Sequence, residues 1–262
     1  MSKGSLIVIG TGIRTVGHLT IEAIAWLRRA EKVLYVVGDP IAEAVIADLN
    51  PPGAESLFPM YAEGKPRIQS YNEMVERVLE CVRSGMLTCL ACYGHPGVFV
   101  YPSHVSIRRA RSEGFSARML PGISSEDCLF ADLGVDPATS GCQSLEATDF
   151  LANGRTIDPK SSVILWQIGV VGVGTFRGGG YDLSALPFVV ERLLQYYPPA
   201  HVAYLYEAAI LPGCEPRIWP VPLHALGQAP ISAMCTLYIP PAYPATTAMR
   251  PRNAGGMMSA PG

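Results

Sequence analysis

Apolar runs alternate with amphipathic segments from residue 5 to about residue 127. The run SLIVIG at 5–10 is apolar throughout, as expected for a strand that is covered on both faces. A helical pattern follows over 19–29, and the runs at 32–39 and 86–92 repeat the strand pattern. A regular series of strands and helices predicts an α/β lobe with a mostly parallel sheet.

One helix start in this half has its own signature. Ser70 and Glu73 have the spacing of a capping box, which predicts a helix from Ser70 to about residue 83. This interpretation places Tyr71 at the first helical position, where the helix macrodipole favours negative charge. Arg67 lies just before that start and could add a positive charge beside the phenol.

The pattern changes after about residue 133. Four more segments have strand patterns, around 161–169, 201–209, 216–223 and 232–240, and one helix is predicted over 183–194. They predict a second, α+β lobe with a mixed or antiparallel sheet. We therefore divide the chain into an N-terminal lobe (1–132), a C-terminal lobe (133–240) and a disordered tail (241–262), since the tail lacks periodicity.

Composition narrows the possible functions of the protein. The 262 residues are 49% hydrophobic and 16% charged, which is typical of a globular protein with a large buried core. The net charge is −2 and no basic stripe is present, so a nucleic-acid partner is not supported. No apolar run reaches the roughly 18 residues of a membrane-spanning helix.

The cysteines and the N-terminus indicate a reducing compartment. The seven cysteines are odd in number, and no signal peptide precedes the first strand, so we expect a cytoplasmic protein with free thiols. Cys89 and Cys92 have C-x-x-C spacing, but a zinc site would need a second pair, and none is suitably spaced. We predict no metal site.

Three glycine-bearing loops follow predicted strands, at 10–17, 93–97 and 121–125. In an open α/β sheet, ligands bind beyond the carboxyl ends of the strands, where such loops gather. The first loop lacks the third glycine of the dinucleotide fingerprint, and no phosphate-binding P-loop occurs. His95, between Gly94 and Pro96, could be a base, a ligand contact or a structural histidine.

Three tyrosines and one arginine form the second group of candidates. Tyr61, Tyr71 and Tyr93 lie close in sequence, with Arg67 between the first two. A phenol can act as a weak acid or base if its surroundings favour the anion. The same residues could instead be surface aromatics that cap the sheet, and their spacing alone does not decide between the two.

The order of GTG, YGHPGVF, PGISS, VILWQIG and YEAA resembles the tetrapyrrole (corrin/porphyrin) methylase superfamily, from residue 5 to about residue 240. The resemblance implies two lobes that hold S-adenosylmethionine in the cleft between them. The superfamily loop usually carries Asp at the position of His95 and often Gly at that of Tyr93. These two differences, with Arg67-x-x-x-Tyr71 and LWQI, resemble the borosin-type peptide backbone α-N-methyltransferases.

The narrower resemblance implies an activity and its partners. Such enzymes methylate main-chain amide nitrogens of a ribosomal precursor peptide and release S-adenosylhomocysteine. We expect the split bacterial type, in which the precursor is supplied in trans, and a homodimer that binds two precursor chains.

The resemblance also implies roles for individual residues. It places Tyr71, Arg67, Tyr93 and Tyr61 in the catalytic cluster, with Tyr71 as the base. The implied cofactor contacts are Tyr93, Gly94, His95, Val98, Val100, Ser124, Ser125, Gln167, Ala208, Cys235 and Thr236.

Two other functions stay open at this stage. One is methylation of a different acceptor by the same fold, such as a carbon of a tetrapyrrole. The other is a non-catalytic module that binds peptides in the cleft.

Overall fold

The computed structural model describes residues 3–14 and 17–243. From residue 244 onward, the predicted disordered tail lies outside the described residues. The strands are β1 (Ser5–Gly10), β2 (Lys32–Val36), β3 (Ala54–Ser56), β4 (Leu87–Cys92), β5 (Ser116–Met119), β6 (Cys142–Glu146), β7 (Ser162–Trp166), β8 (Val202–Glu207), β9 (Arg217–Pro222) and β10 (Thr236–Ile239). The α-helices are α1 (Ile21–Arg29), α2 (Pro40–Leu49), α3 (Arg67–Arg83), α4 (Tyr101–Ser112), α5 (Ser125–Leu133), α6 (Pro137–Ser140), α7 (Ala147–Ala152) and α8 (Leu186–Leu193).

The first sheet has the strand order β3-β2-β4-β1-β5, and all of its strand pairs are parallel. Ser5 pairs with Leu87 and Gly10 with Cys92, so β1 and β4 end at the same edge. Alternate residues of each strand face opposite sides. Leu6 and Val8 pack under α3 and α4, whereas Ile7 packs under α1 and α2. The continuous apolar runs in the sequence reflect this double coverage.

The second sheet has the order β6-β7-β10-β8-β9. β6 and β7 are parallel, and the other pairs are antiparallel, which confirms the predicted mixed sheet. One face of this sheet packs on α7 and α8 through Phe150 and Val189. The other face packs on Leu129 of α5, and the Tyr206 hydroxyl donates to Asp132 at 2.7 Å. α5 therefore joins the first lobe to the second sheet.

Two strands were not predicted. β3 is three residues long, and β6 carries Gln143, Ser144 and Glu146 among its five residues, so neither shows the apolar pattern of a buried strand. Both lie at the outer edges of their sheets, where strands are less covered. Among the described residues, no helix is both long and apolar enough to cross a bilayer.

Candidate active site

A cavity of about 310 Å³ lies between the two sheets. It opens at the carboxyl ends of β1 and β4 and faces the end of β7 and the start of β10, as the strand-end rule predicts. Most of the predicted site residues line it: Tyr61, Tyr71, Tyr93, Gly94, His95, Val98, Val100, Ser124, Ser125, Gln167, Cys235 and Thr236. The structure thus brings together residues that are up to 175 positions apart, from Tyr61 to Thr236.

Glycines hold the loops beneath the cavity in backbone contact. Gly12 and Gly94 exchange hydrogen bonds of 3.2 and 3.1 Å in an antiparallel bridge. A Cβ on Gly10 would lie 2.2 Å from the carbonyl oxygen of Gly94, and one on Gly122 would lie 2.8 Å from the same atom. Gly10 and Gly122 therefore allow the loops to pack closely on one another. The sequence had predicted that the loop glycines allow a ligand to approach the backbone. Gly94 has a φ of +70° and itself lines the cavity.

The His95 ring is held in one orientation. Its Nδ1 accepts a hydrogen bond of 2.9 Å from the backbone N–H of Gly97. A neutral ring that accepts at Nδ1 carries its proton on Nε2, so that nitrogen is available to donate. The hydroxyl of Ser103 donates to the carbonyl of Pro96 and fixes the same loop. His95 is thus presented as a hydrogen-bond donor at the cavity wall.

Two of the predicted tyrosines, Tyr61 and Tyr71, pack in an aromatic cluster, and Tyr93 lines the same cavity. The rings of Tyr61 and Tyr71 meet edge to face at 6.2 Å between centroids, and Tyr71 stacks on Tyr101 at 6.0 Å. Burial, with the nearby Tyr71 as a smaller cause, raises the pKa of Tyr61 well above its usual range. Burial, helped by Cys128 and Asp39, raises the pKa of Tyr93 to about 12. Both hydroxyls therefore stay protonated near neutral pH and can donate hydrogen bonds.

The predicted start of α3 is wrong. The helix begins at Arg67 with Pro66 as its N-cap, and the Ser70 hydroxyl donates to the carbonyl of Met60 at 3.0 Å. The apparent capping box is not formed, because Ser70 is fully buried and is bonded outside the helix. Tyr71 therefore lies in the second turn, where the macrodipole has little effect. Arg67 and Tyr71 are instead neighbours one turn apart on one helix face.

Arg67 lies beside the cavity and not in its wall. It lines an adjoining groove together with Tyr71, Phe99 and Gln167, which line both spaces. Its guanidinium lies 5.3 Å from the ring centroid of Tyr181. The positive charge of Arg67 also acts on Tyr61, whose pKa it lowers against the larger effect of burial.

Ala208 is the one predicted cofactor contact outside the lining. It is partly buried and packs against the cluster of Trp166, Tyr206 and Leu129, behind the cavity. The motif YEAA places it at the end of β8, but its short side chain points into this packing.

Sequence reasoning missed about half of the wall. The missed residues are Ile13, Val36, Leu57, Met74, Leu90, Cys92, Phe99, Tyr101, Pro102, Trp166, Ala233 and Met234. Phe99, Tyr101 and Trp166 adjoin predicted contacts and could have been found as neighbours of those motifs. The segment around Ala233 carries no signal of its own. Phe99 and Gln167 have φ of +54° and +59°, a conformation that is costly for residues other than glycine and that occurs often at functional sites.

The wall of the cavity is uncharged. No Asp, Glu, Lys or Arg occurs among its described lining residues. Its polar groups are hydroxyls, one amide, one imidazole, thiols and backbone atoms. Such a wall suits a guest with few charges better than one with several carboxylates, since a buried charge needs a partner.

His18 supports the first loop from below. Its Nδ1 accepts hydrogen bonds from the backbone N–H groups of Ile13 and Arg14 at 3.2 and 3.1 Å. Burial, and to a lesser extent Arg14, lowers the pKa of His18 from 6.5. A protonated Nδ1 could accept neither bond, so the loop that carries Ile13 to the cavity depends on the neutral ring.

We expect this histidine to make the fold sensitive to acid. As the pH falls below 6.5, the unfolded chain takes up a proton that the folded chain resists, so the free energy of unfolding decreases. Urea titrations from pH 6.5 down to about pH 5 should show this decrease, and His18→Gln should reduce it. His224→Gln, at an exposed histidine, is the matched control, and an equal acid sensitivity in all three proteins would contradict the assignment.

The sequence matches a known family. A family model described as Tetrapyrrole (Corrin/Porphyrin) Methylases matches residues 5–212.

Three curated relatives are named as a methyltransferase together with a ribosomally synthesized cyclic peptide precursor. The dendrothelin A precursor of Dendrothele bispora is 44% identical over 91% of this chain and 58% of its own length. The omphalotin A precursor of Omphalotus olearius is 41% identical, with the same coverage of 91% and 58%. The type III borosin precursor of Anomoporia bombycina is 41% identical over 92% of this chain and 28% of its own length. The chain thus spans less than two thirds of the length of these relatives.

Solved structures share the fold at low sequence identity. The uroporphyrin-III-C-methyltransferase of Thermus thermophilus has a TM-score of 0.65 and 18% identity over 92% of this chain and 93% of its own. A cobalt precorrin-4 methyltransferase has a TM-score of 0.63 and 16% identity, with coverage of 90% and 94%. A complex of the Thermus enzyme with S-adenyl homocysteine has a TM-score of 0.60 and 17% identity, with coverage of 90% and 92%. These likenesses confirm the predicted two-lobed fold.

Proposed function

The chain belongs to the tetrapyrrole (corrin/porphyrin) methylase family, and we propose that it transfers methyl groups from S-adenosylmethionine to main-chain amide nitrogens of a peptide. The observation that carries this proposal is that four tyrosines, Tyr61, Tyr71, Tyr93 and Tyr101, line one uncharged cavity. The names of the relatives, which join a methyltransferase to a peptide precursor, support the same acceptor.

The cavity suits the proposed methyl donor. Its volume of about 310 Å³ is within the range of small-molecule sites. His95 offers an N–H, and Val98 offers an apolar surface. Ser124 and Ser125 line the cavity at the start of α5, where the Ser124 hydroxyl and N–H both donate to Asp127. When bound, S-adenosylmethionine supplies an electrophilic methyl group on a sulfonium.

The acceptor must be activated by the protein. An amide nitrogen is a poor nucleophile, because its lone pair is delocalised into the carbonyl group. We assign Tyr71 as the base: its phenolate takes the amide proton as the nitrogen bonds to the methyl carbon and the carbon–sulfur bond breaks. The products are an N-methyl amide, S-adenosylhomocysteine and the neutral phenol, so charge and protons balance. Arg67, one helical turn from Tyr71, stabilises the anion.

Tyr61 and Tyr93 take a complementary role. Their raised pKa values keep them protonated, so each can donate to the amide oxygen. This oxygen gains negative charge as the nitrogen loses its proton. Donors fixed at that point in a site with little water lower the barrier, as an oxyanion hole does.

The groove beside the cavity gives the peptide a path. Arg67, His104, Glu146 and Thr148 line it, and it shares Tyr71 and Gln167 with the cavity. A chain laid along this groove can place one amide at Tyr71 while its neighbouring residues lie outside. The side chain next to that amide meets the exposed rings and thioether of Phe99, Tyr101 and Met234.

We propose that the peptide comes from a separate chain. β10 begins at the cavity with Thr236 and runs away from it, and Ala242 donates to the carbonyl of Pro159 beyond the far end of β7. The last described residues are therefore directed away from the groove. The proposal includes the assembly that the resemblance implies, a homodimer with two precursor chains, which light scattering with and without peptide would measure.

Methylation of a tetrapyrrole carbon is less consistent with the site. Porphyrinoid acids carry several carboxylates, whereas Arg67 is the only Lys or Arg among the described residues that line the cavity and the adjoining groove. The fold likeness to such enzymes does not decide the acceptor, because one fold supports many functions.

The test uses the 262-residue chain, S-adenosylmethionine and a panel of apolar peptides. The expected result is the mass increase of one methyl group per modified residue, located by fragmentation to a backbone nitrogen. A matched peptide with an ester in place of that amide lacks the N–H and should gain no methyl group at that position. Intact mass of the protein itself would reveal self-methylation, which would overturn the supply in trans. Cofactor binding without transfer to any peptide would favour a binding module, and transfer to a tetrapyrrole would overturn the acceptor.

We expect His95→Ala to weaken binding of S-adenosylmethionine by about tenfold, the value of the one hydrogen bond that its Nε2 can donate. Calorimetry would measure the Kd, and single-turnover rates at saturating cofactor should change much less. His224→Ala is the control. A normal Kd combined with a slow bound-state rate would instead place His95 in the chemical step.

A further inference from the structure

Residues 172–181 (GVGTFRGGGY), here called the interlobe strap, cross from the second lobe to the first. The strap follows the short 3₁₀ helix Ile168–Val170, and its Thr175 forms an antiparallel bridge with Pro66. Phe176 donates to the carbonyl of Lys65 at 2.9 Å and accepts from Gly64 at 2.9 Å. The strap is therefore bonded through its backbone to the segment that precedes α3.

A further hydrogen bond joins the interlobe strap to α3, the helix that carries Arg67 and Tyr71. The backbone N–H of Arg67, at the first position of α3, donates to the carbonyl of Gly174 at 2.9 Å. The first backbone N–H groups of an α-helix have no hydrogen-bond partner within that helix. The strap supplies the acceptor for one of them. The start of the helix that carries Arg67 and Tyr71 is thus set by the second lobe.

The strap also places an aromatic ring on each of two candidate catalytic residues. Phe176 stacks on Tyr61 with 4.8 Å between centroids and 24° between planes. Phe58 meets the edges of both rings, at 5.7 and 6.1 Å. Tyr181, at the other end of the strap, lies under the guanidinium of Arg67 at 5.3 Å.

We propose that Phe176 is a positioning residue for the phenol cluster, so that the second lobe orients Tyr61 and, through it, Tyr71. This inference rests on the function proposed above. A stacked ring restricts the rotation of Tyr61 and keeps its hydroxyl at the cavity wall. Tyr61 in turn packs edge to face on Tyr71 at 6.2 Å between centroids. If the Tyr61 ring becomes more mobile, the Tyr71 ring loses part of its packing. Nothing in this role requires Phe176 to touch the cofactor, and it is not among the lining residues.

The first test compares kinetic constants. Phe176→Ala should lower kcat by about 10- to 100-fold, the cost of a small misplacement of catalytic groups, and leave the Kd of S-adenosylmethionine unchanged. Phe176→Tyr keeps the ring and should restore most of the rate. Phe188→Ala removes an equal side chain from the exposed face of α8 and is the control for the truncation itself. A normal kcat in Phe176→Ala, at an unchanged melting temperature, would overturn the proposal.

A second readout does not depend on activity. Fluorotyrosine can be incorporated throughout the chain, and the fluorine resonance of Tyr61 can be assigned by its loss in Tyr61→Phe. In Phe176→Ala this resonance should shift and titrate at lower pH, because Tyr61 loses the ring that buries it. An unchanged resonance and titration would overturn the proposal. If the wild-type chain transferred no methyl group, the proposed function would fail, and the resonance would still decide whether Phe176 positions Tyr61.

Discussion

Tyr71→Phe should lose most of its methyl transfer, by about 10²- to 10⁴-fold in kcat, while it binds S-adenosylmethionine as tightly as the wild type does. The substitution removes one oxygen and keeps the ring that packs between Tyr61 and Tyr101. The cavity therefore keeps its shape, and only the proton acceptor is lost. Single-turnover mass spectrometry would measure the rate, and calorimetry would measure the Kd.

The pH dependence sharpens this test. A phenol ordinarily ionises near pH 10, so a phenolate base gives a rate that rises with pH above neutrality. The wild type should show this rise, and the residual rate of Tyr71→Phe should be flat. Tyr204→Phe is the matched control, since Tyr204 is a partly buried tyrosine of β8 outside the cavity lining. Undiminished turnover in Tyr71→Phe would show that Tyr71 is not the base. Another group that lines the cavity would then have to take the amide proton.

Arg67→Ala should have the next largest effect, a loss of about 10- to 100-fold in kcat. A positive charge stabilises a nearby anion, and Arg67 is one helical turn from Tyr71. Its removal should also make Tyr61 still harder to ionise, because Arg67 is a positive charge that lowers the pKa of Tyr61. Cofactor affinity should change little, since Arg67 lines the groove and not the cavity.

A set of variants separates charge from packing. Arg67→Lys keeps the charge and should retain more activity than Arg67→Met, which keeps only the length of the side chain. Arg177→Ala removes an exposed cation from the interlobe strap and is the control. Equal activity of Arg67→Lys and Arg67→Met would show that the charge has no part in the reaction, and Arg67 would then act through its contact with Tyr181.

The fold was predictable from the sequence to a large extent because its signals are local. β1, β4 and β7 are covered on both faces, and each reads as a continuous apolar run. Loops with glycine follow two of them, and the carboxyl ends of parallel strands share one edge, so the position of the cavity followed from the order of the elements. β3 and β6 were missed because edge strands that are short or polar lack this pattern.

The start of α3 shows how a tertiary contact overrides a local signature. Ser70 and Glu73 have capping-box spacing, yet Ser70 bonds to Met60 and Glu73 pairs with Lys65 at 2.5 Å. The real start at Arg67 is supported by the carbonyl of Gly174, which is more than 100 positions away in sequence. No local pattern contains that partner.

The sequence by itself determined the two sheets, the loops at their carboxyl ends and the set of tyrosines with one arginine, since strand periodicity and loop composition are properties of neighbouring residues. Only the tertiary structure decided that these tyrosines share an uncharged wall, that Arg67 lies beside the cavity, and that Phe176 stacks on Tyr61. The physical reason is that these contacts join different elements of the fold, whose relative placement is set by the summed packing of the molecule and not by any one segment.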